Sequence, residues 1–371
     1  MKFNVSSHEF LQQLNKVAGA IGSNPVLPVL EDFLFELSGN TLQITATNLE
    51  TTIITEMNIS VEEEGRIAVP AKILLDTLKA LPDQPITFDV NEETRAIEIT
   101  SAYGKYKLAG DSADDYPEVQ QIDSEKGIEL DARVLSNALN KTLFATSNDE
   151  LRVAMTGVFV QIDFNKVTFV ATDAHKLVKY TYGGISTENT GTFIIPKKAL
   201  SLLKGVLSSE GTVKMTHGKT NVSFELDGSS LLCRLIDANY PDYQAVIPVD
   251  NPNLLMVSRT DFLSSLKRIA IYANKTTNQV VLNVDDGSLT ISAQDIDFSN
   301  EATEQLTCTY TGESMVIGFN GKFLIDILNV LDTEQIKFEL SNPNRAGIIL
   351  PDEQDDKEDL LMLVMPVMMG A

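Results

Sequence analysis

The strongest constraint on this chain is internal repetition: four landmarks recur three times, about 124 positions apart, along 371 residues. The first is an amphipathic helical pattern. Phe10, Leu11, Leu14, Val17 and Ala18 carry it, then Val134, Leu135, Ala138 and Leu139, then Phe262, Leu263, Leu266, Ile269 and Ala270. Ser6 with Glu9, and Ser258 with Asp261, have capping-box spacing at two of these starts. The second landmark is an alternating strand that ends on a polar residue: Thr41 to Asn48, Lys166 to Asp173 and Ser288 to Asp295. The third is a short strand running into a second helix, at Ile67–Lys72, Phe193–Lys198 and Val316–Lys322. Pro70 and Pro196 suit a helix start because their missing N–H needs no partner there, and Asn320 suits an N-cap. The fourth is Asp115-Tyr116-Pro117, Asn239-Tyr240-Pro241 and Val364-Met365-Pro366.

The spacing predicts three copies of one α+β module near 1–122, 127–248 and 254–371, each with two helices and many short strands. Turn signals such as Ser38-Gly39-Asn40 and Asp285-Asp286-Gly287 separate the strands. The joins, Asp123 to Gly127 and Val249 to Asn253, are short and polar, which implies modules in a fixed arrangement. No apolar run reaches the roughly 20 residues of a membrane helix, and the first residues lack a signal-peptide core. Cys233 and Cys308 stand alone, so the expectation is a reducing, cytoplasmic setting. With three histidines and those two cysteines, no metal centre is expected, and no cofactor.

The net charge of −23 argues against nucleic acid at first sight. Its distribution argues the other way. The six helix windows, 7–20, 71–81, 131–144, 197–207, 259–273 and 320–331, hold 12 basic and five acidic residues, a net of +7, which leaves −30 to the rest of the chain. Lys and Arg favour helices, but so does Glu, and a single Glu occurs in all six windows. The pattern predicts a positive helical surface for phosphates within an acidic exterior.

Three such modules, with Thr172-Asp173-Ala174-His175-Lys176-Leu177, Asn239-Tyr240-Pro241-Asp242-Tyr243 and a terminal Val364-Met365-Pro366-Val367-Met368, resemble the bacterial beta sliding clamps over the whole chain. These are the DNA polymerase III beta subunits, processivity factors of replication. The resemblance implies a DNA clamp fold with helices lining a ring and sheets outside. It implies a head-to-tail homodimer around duplex DNA, no catalysis, and opening by an ATP-driven clamp loader. Polymerases and repair proteins would dock short peptides in a pocket of Met155, Thr172, Ala174, His175, Lys176, Leu177, Pro241, Val246, Leu363, Met365, Pro366, Val367 and Met368. DNA-facing positions would be Lys72, Arg152, Lys197 and Lys198. The dimer contact would join Tyr106 and Leu108 to Ile271 and Tyr272, with Lys105 and Lys107 near Asp297, Glu301 or Glu304. The sequence departs from the family at Asn24, at Val153-Ala154 and at Ala174, where glycine is more usual, and Gly370-Ala371 extend the tail.

Other classes fit less well. Asp173 and His175 suggest an acid–base pair, yet no nucleophile stands beside them. Gly218-Lys219-Thr220 lacks the first glycine of a phosphate loop, and Asp352 to Asp359 lacks the glycine of a calcium loop. A peptide-binding repeat scaffold that never encircles DNA is the alternative, and it would carry no charge bias on its helices.

Overall fold

The computed structural model describes residues 1–22, 25–119, 122 and 127–368, so Asn24, most of the first join and Gly370-Ala371 lie outside the described residues. The chain divides into two compact units, Met1–Ser136 with Lys198–Leu235, and Asn137–Lys197 with Ile236–Ala371. Six α-helices are described: α1 (Ser7–Ala18), α2 (Ala71–Ala80), α3 (Ala132–Thr142), α4 (Lys197–Val206), α5 (Arg259–Ile269) and α6 (Gly321–Asn329). None of the described helices is long and apolar enough to cross a membrane.

The helices fall inside the six sequence windows and stop short of several ends. Window 7–20 stops at Ala18 and window 259–273 at Ile269. The serine caps behave as their spacing predicts: Ser6 Oγ accepts from the Glu9 amide at 3.3 Å, and Ser258 Oγ from the Asp261 amide at 3.3 Å. Asn320 Oδ1 accepts from the Lys322 amide at 3.0 Å. Pro70 is the N-cap of α2 and Pro196 directly precedes α4, both at helix starts as expected. Each is the last residue of an outer strand, opposite Asp32 and Gly157, where a missing N–H breaks no ladder.

The first unit has a five-stranded and an eight-stranded sheet, and the second a nine-stranded and a four-stranded sheet, with antiparallel pairing throughout. The core of the first unit centres on Phe3, Phe10, Phe35 and Phe88. Phe3 stacks on Phe88 at 5.0 Å between centroids, and Phe10 meets Phe35 edge-on at 5.6 Å. Burying each such ring is worth about 1.5–3 kcal/mol. That payload, rather than propensity, holds a 12-residue helix such as α1 in place. Gly39 and Gly287 adopt φ of 59° and 73° at hairpin tips, a backbone that a β-carbon would strain.

Each large sheet joins strands from two successive copies of the repeat. In the first unit, Ser229–Arg234 pairs with Thr51–Asn58, setting Leu231 opposite Ile53. In the second, Glu358–Val364 pairs with Lys176–Tyr182, setting Met362 opposite Val178. The two seams are the same seam. Ile53 and Val178 both face the alanine two residues before the polar end of the alternating strand, Ala46 or Ala171. Leu231 and Met362 both follow the last hairpin of a copy, opposite Phe224 and Ile349. The strands of these two kinds that remain, Lys105–Ala109 and Asn300–Thr307, are outer strands of the five-stranded and four-stranded sheets.

Candidate functional site

The second unit contains a cavity of about 460 Å³ whose lining converges from five stretches of chain. The hairpin after Lys166–Thr172 supplies Thr172, Ala174, Lys176 and Leu177. Its tip is an Asx turn: Asp173 Oδ1 accepts from the amides of His175 and Lys176, each at 2.9 Å, and Thr172 Oγ1 donates to the Lys176 carbonyl at 2.8 Å. Asn48 builds the same turn by accepting from the Glu50 and Thr51 amides. This turn accounts for the polar residue at the end of the repeated strand in the first two copies, whereas Asp295 Oδ1 accepts from Asn274 Nδ2 at 3.3 Å. Residue 174 takes φ of 75°, as does Leu49 at 73°, so the alanine here carries strain of about 1 kcal/mol that glycine would avoid.

The turn also engages a buried cation. Lys176, 5% exposed, places Nζ 2.6 Å from Asp173 Oδ2 and 4.3 Å from the centre of the Phe323 ring. His175 stacks against the same ring, 5.9 Å between centroids. Burial pushes the nearby Asp326 carboxyl up, against the opposing pull of Lys176. With one oxygen capping the turn and the other on Lys176, Asp173 does not form a free acid–base pair with His175.

Below the turn, Val170, Leu177, Tyr243, Ala346 and Leu363 form a buried apolar floor. Tyr240 stacks on Phe159 at 4.8 Å and donates to the Val170 carbonyl at 3.3 Å, and burial holds its hydroxyl protonated. On the far wall, the Met365 amide donates to the His175 carbonyl and the Val367 amide to the Gly318 carbonyl, both at 2.8 Å. The tail is thereby held on both sides, with Met365 39% exposed at the opening.

Nine of the thirteen expected pocket residues line this cavity: Met155, Thr172, Ala174, Lys176, Leu177, Pro241, Val246, Leu363 and Met365. His175 instead faces Phe323, Pro366 bridges to Phe319, Val367 anchors the tail, and Met368 is 86% exposed. Beyond Met365 the tail runs along Phe319 and Gly318, away from the cavity. The sequence reading missed Asp242, Tyr243, Ala245, Ile247, Pro248, Asn344, Arg345 and Ala346. Tyr243 was within reach, two residues after Pro241, whereas the turn at 344–346 carries no local signal of its neighbour.

The expected DNA-facing residues are all polar-surface positions. Lys72 and Lys198 are exposed on α2 and α4. Lys197 Nζ donates to Asn148 Oδ1 at 3.1 Å, and Arg152 Nε to Asp149 Oδ2 at 2.9 Å, so these two cations share one loop. Next to them Leu151 is 94% exposed.

Of the expected dimer residues, Tyr106 lines a second cavity of about 610 Å³ with Ile73, Thr77, Ala80 and Leu81. Ile271 and Tyr272, just past α5, are exposed by 65% and 42%. Within one chain, Lys105 and Lys107 lie 2.6 and 3.2 Å from Glu98 and hold its carboxyl below the usual range, while Glu304 binds Arg268.

Comparison with known proteins gives one family throughout. Models of the DNA polymerase III beta subunit match in order: the N-terminal domain over 1–120, the central domain over 129–242 and the C-terminal domain over 244–367. The beta sliding clamp of Synechococcus elongatus is 31% identical, with all of both chains covered. That of Vibrio cholerae is 29% identical over 99% of this chain and 100% of its own. Among solved structures, a sliding clamp from Pseudomonas aeruginosa bound to griselimycin superposes with a TM-score of 0.94 at 27% identity, covering 100% of each chain. The DNA polymerase III beta subunit of Thermotoga maritima follows with a TM-score of 0.91 at 27% identity, again over 100% of each.

Proposed function

The chain belongs to the DNA polymerase III beta-subunit family, the beta sliding clamps that give the replicative polymerase its processivity, and from that premise we propose that two copies close head to tail around duplex DNA. Each copy would contribute three modules, near 1–122, 127–248 and 254–371. The clamp itself catalyses nothing, a clamp loader opens it with ATP, and partner proteins dock peptides in the cavity around Leu177 and Met365.

The observation that carries this reading is the repeated seam. Two seams within the chain share one register, Leu231 opposite Ile53 and Met362 opposite Val178. In the repeat frame the next such pair is Tyr106, opposite Ile99 as Leu231 is opposite Phe224, and Ala302, opposite Ala293 as Ile53 is opposite Ala46. Those two residues lie on unmatched outer strands. A second copy completes the pattern, with Tyr106 facing Ala302, Lys107 facing Glu301 and Leu108 facing Asn300. Heterologous contacts of this kind close into a ring. The exposed helical cations Lys72, Lys79, Lys198, Lys204 and Lys267 suit phosphate contact without base reading.

The register is open to a charge swap. Lys107→Glu or Glu301→Lys alone should weaken the dimer severalfold in sedimentation, since opposed like charges on neighbouring strands cost about 0.2–1 kcal/mol in each of two seams. Together they should restore it, whereas Lys105→Glu with Glu301→Lys should not. Failure of the matched pair to rescue would sink the register. For the cavity, Met365→Ala should lower affinity for a Leu-Phe-containing peptide about 5–30-fold with the dimer mass unchanged, in a fluorescence anisotropy titration. Unaltered affinity would reject the cavity as the docking site.

A further inference from the structure

One cation at the docking cavity has no carboxylate within ion-pair distance, and it identifies a residue that selects the occupant. Two cations line it, Lys176 and Arg345, with one carboxylate, Asp242. Lys176 is already committed, its Nζ 2.6 Å from Asp173. Asp242 caps the following turn, its Oδ1 accepting from the amides of Gln244 and Ala245 at 3.2 and 3.3 Å, and no ion pair joins it to Arg345. Arg345 is exposed and pairs with no carboxylate among the described residues.

Its backbone, by contrast, is fixed. The Arg345 amide donates to the Asn342 carbonyl at 3.1 Å, and the Asn344 amide to Asn342 Oδ1 at 3.0 Å. One residue further on, Asn251 Nδ2 donates to the Ala346 carbonyl at 3.0 Å, and Ala346 itself is part of the cavity floor. A guanidinium is therefore presented at the opening from a pinned turn, beside an apolar floor. Resting on the docking reading above, we propose that Arg345 is a specificity-determining residue of this cavity. It selects partner segments that carry a carboxylate next to their apolar anchors.

The selection works against a background. A chain of net charge −23 repels acidic peptides at long range, so a local cation is needed to make an acidic segment favourable at contact. Guanidinium suits the task because its planar fork meets a carboxylate with two parallel hydrogen bonds.

The test uses the full-length dimer and fluorescein-labelled octapeptides built on a fixed Leu-Phe pair, with Asp walked through the other positions and Asn as the control at each. In 50 mM NaCl, at least one Asp peptide should bind about two- to fivefold tighter than its Asn control, the range for a solvent-exposed pair. The gap should close in 500 mM NaCl. Arg345→Gln, a surface change that leaves folding intact, should abolish the gap, and Arg345→Glu should shift the preference to Lys at that position. Equal binding of every Asp and Asn peptide, or a gap that persists in Arg345→Gln, would overturn the proposal. Binding of all peptides that ignores Met365→Ala would instead reject the docking reading, and this inference with it.

Discussion

Replacing Ile271 by aspartate should leave the chain folded and strip it from circular DNA. Ile271 is 65% exposed, so within one chain the change should cost no more than about 0.5 kcal/mol. The cost arises at the seam proposed between copies. In the repeat frame Ile271 occupies the place of Gly19, two residues past the last buried position of its helix, Ile269 or Val17. At the first seam Gly19 has no side chain and abuts Leu202 of α4. At the open seam the sizes are reversed. Ile271 protrudes, and the matching face of α2 offers the groove of Ile73, Asp76 and Tyr106. An aspartate there buries a carboxylate against Ile73 and Tyr106 and beside the like charge of Asp76, a penalty of roughly 2–4 kcal/mol in each of two seams. The dimer dissociation constant should rise by a factor of about 10³ to 10⁶. The measurement is retention on nicked circular DNA after loading with clamp loader and ATP, at a salt concentration that removes charge-based binding. The unmodified protein should stay on circles and leave when they are linearised. Ile271→Asp should be lost from both, and retention on circles equal to the unmodified protein would refute the seam.

The same repeat frame relates the proposed docking cavity to the second seam. Leu177 and Met365 flank the second seam, and their equivalents at the first are Thr52 and Arg234. At the open seam they are Glu301 and Ala109. The apolar slot lies where those two positions are both large and apolar, a combination that neither other seam has.

The frame itself was legible in the sequence because helical and strand periodicity depend on neighbours a few residues apart. The Asn48 and Asp173 landmarks were visible for the same reason, although their role as turn caps was not. Within the cavity, Leu177 and Leu363 were reached through the family pattern, while Ala346 and Arg345 were not, since only the pairing of Gly347–Pro351 with Glu358–Val364 brings their turn to the opening. His175 shows the opposite limit. It sits between two cavity residues in sequence, and the turn directs its ring to Phe323 instead. Strand edges are harder still, because Lys105–Ala109 reads as an ordinary strand until the sheet order leaves it outermost.

Asp32→Asn should stabilise the protein above pH 7 and leave it unchanged in mild acid. Asp32 opens the strand Asp32–Ser38, is 4% exposed, and its Oδ2 has no hydrogen-bond partner among the described residues. Burial first, then the charge and hydrogen bond of Asp111, then Glu31, push its carboxyl up to about 7. Asp111 is held close because its backbone exchanges hydrogen bonds with Ala68 at 2.9 and 3.2 Å. The Tyr116 hydroxyl donates to the Asp32 and Thr45 carbonyls, and burial keeps that hydroxyl protonated as well. The sign follows from the two states. Unfolded, Asp32 ionises near the ordinary value of about 3.9; folded, it keeps its proton to about 7. Stability from this group is therefore complete below about pH 4 and falls as pH rises through the window to 7, where it levels off. Asparagine has nearly the same shape, donates to Asp111 without ionising, and removes the window. After allowance for screening, the gain at pH 8 should be roughly 1–3 kcal/mol. Thermal unfolding midpoints of both proteins from pH 4 to 9, at one dimer concentration, check this. The curves should meet near pH 4 and diverge toward pH 8, with slower amide exchange at Ala68 and Asp111 in the variant. Parallel curves across the range would mean that Asp32 holds no proton in the native state.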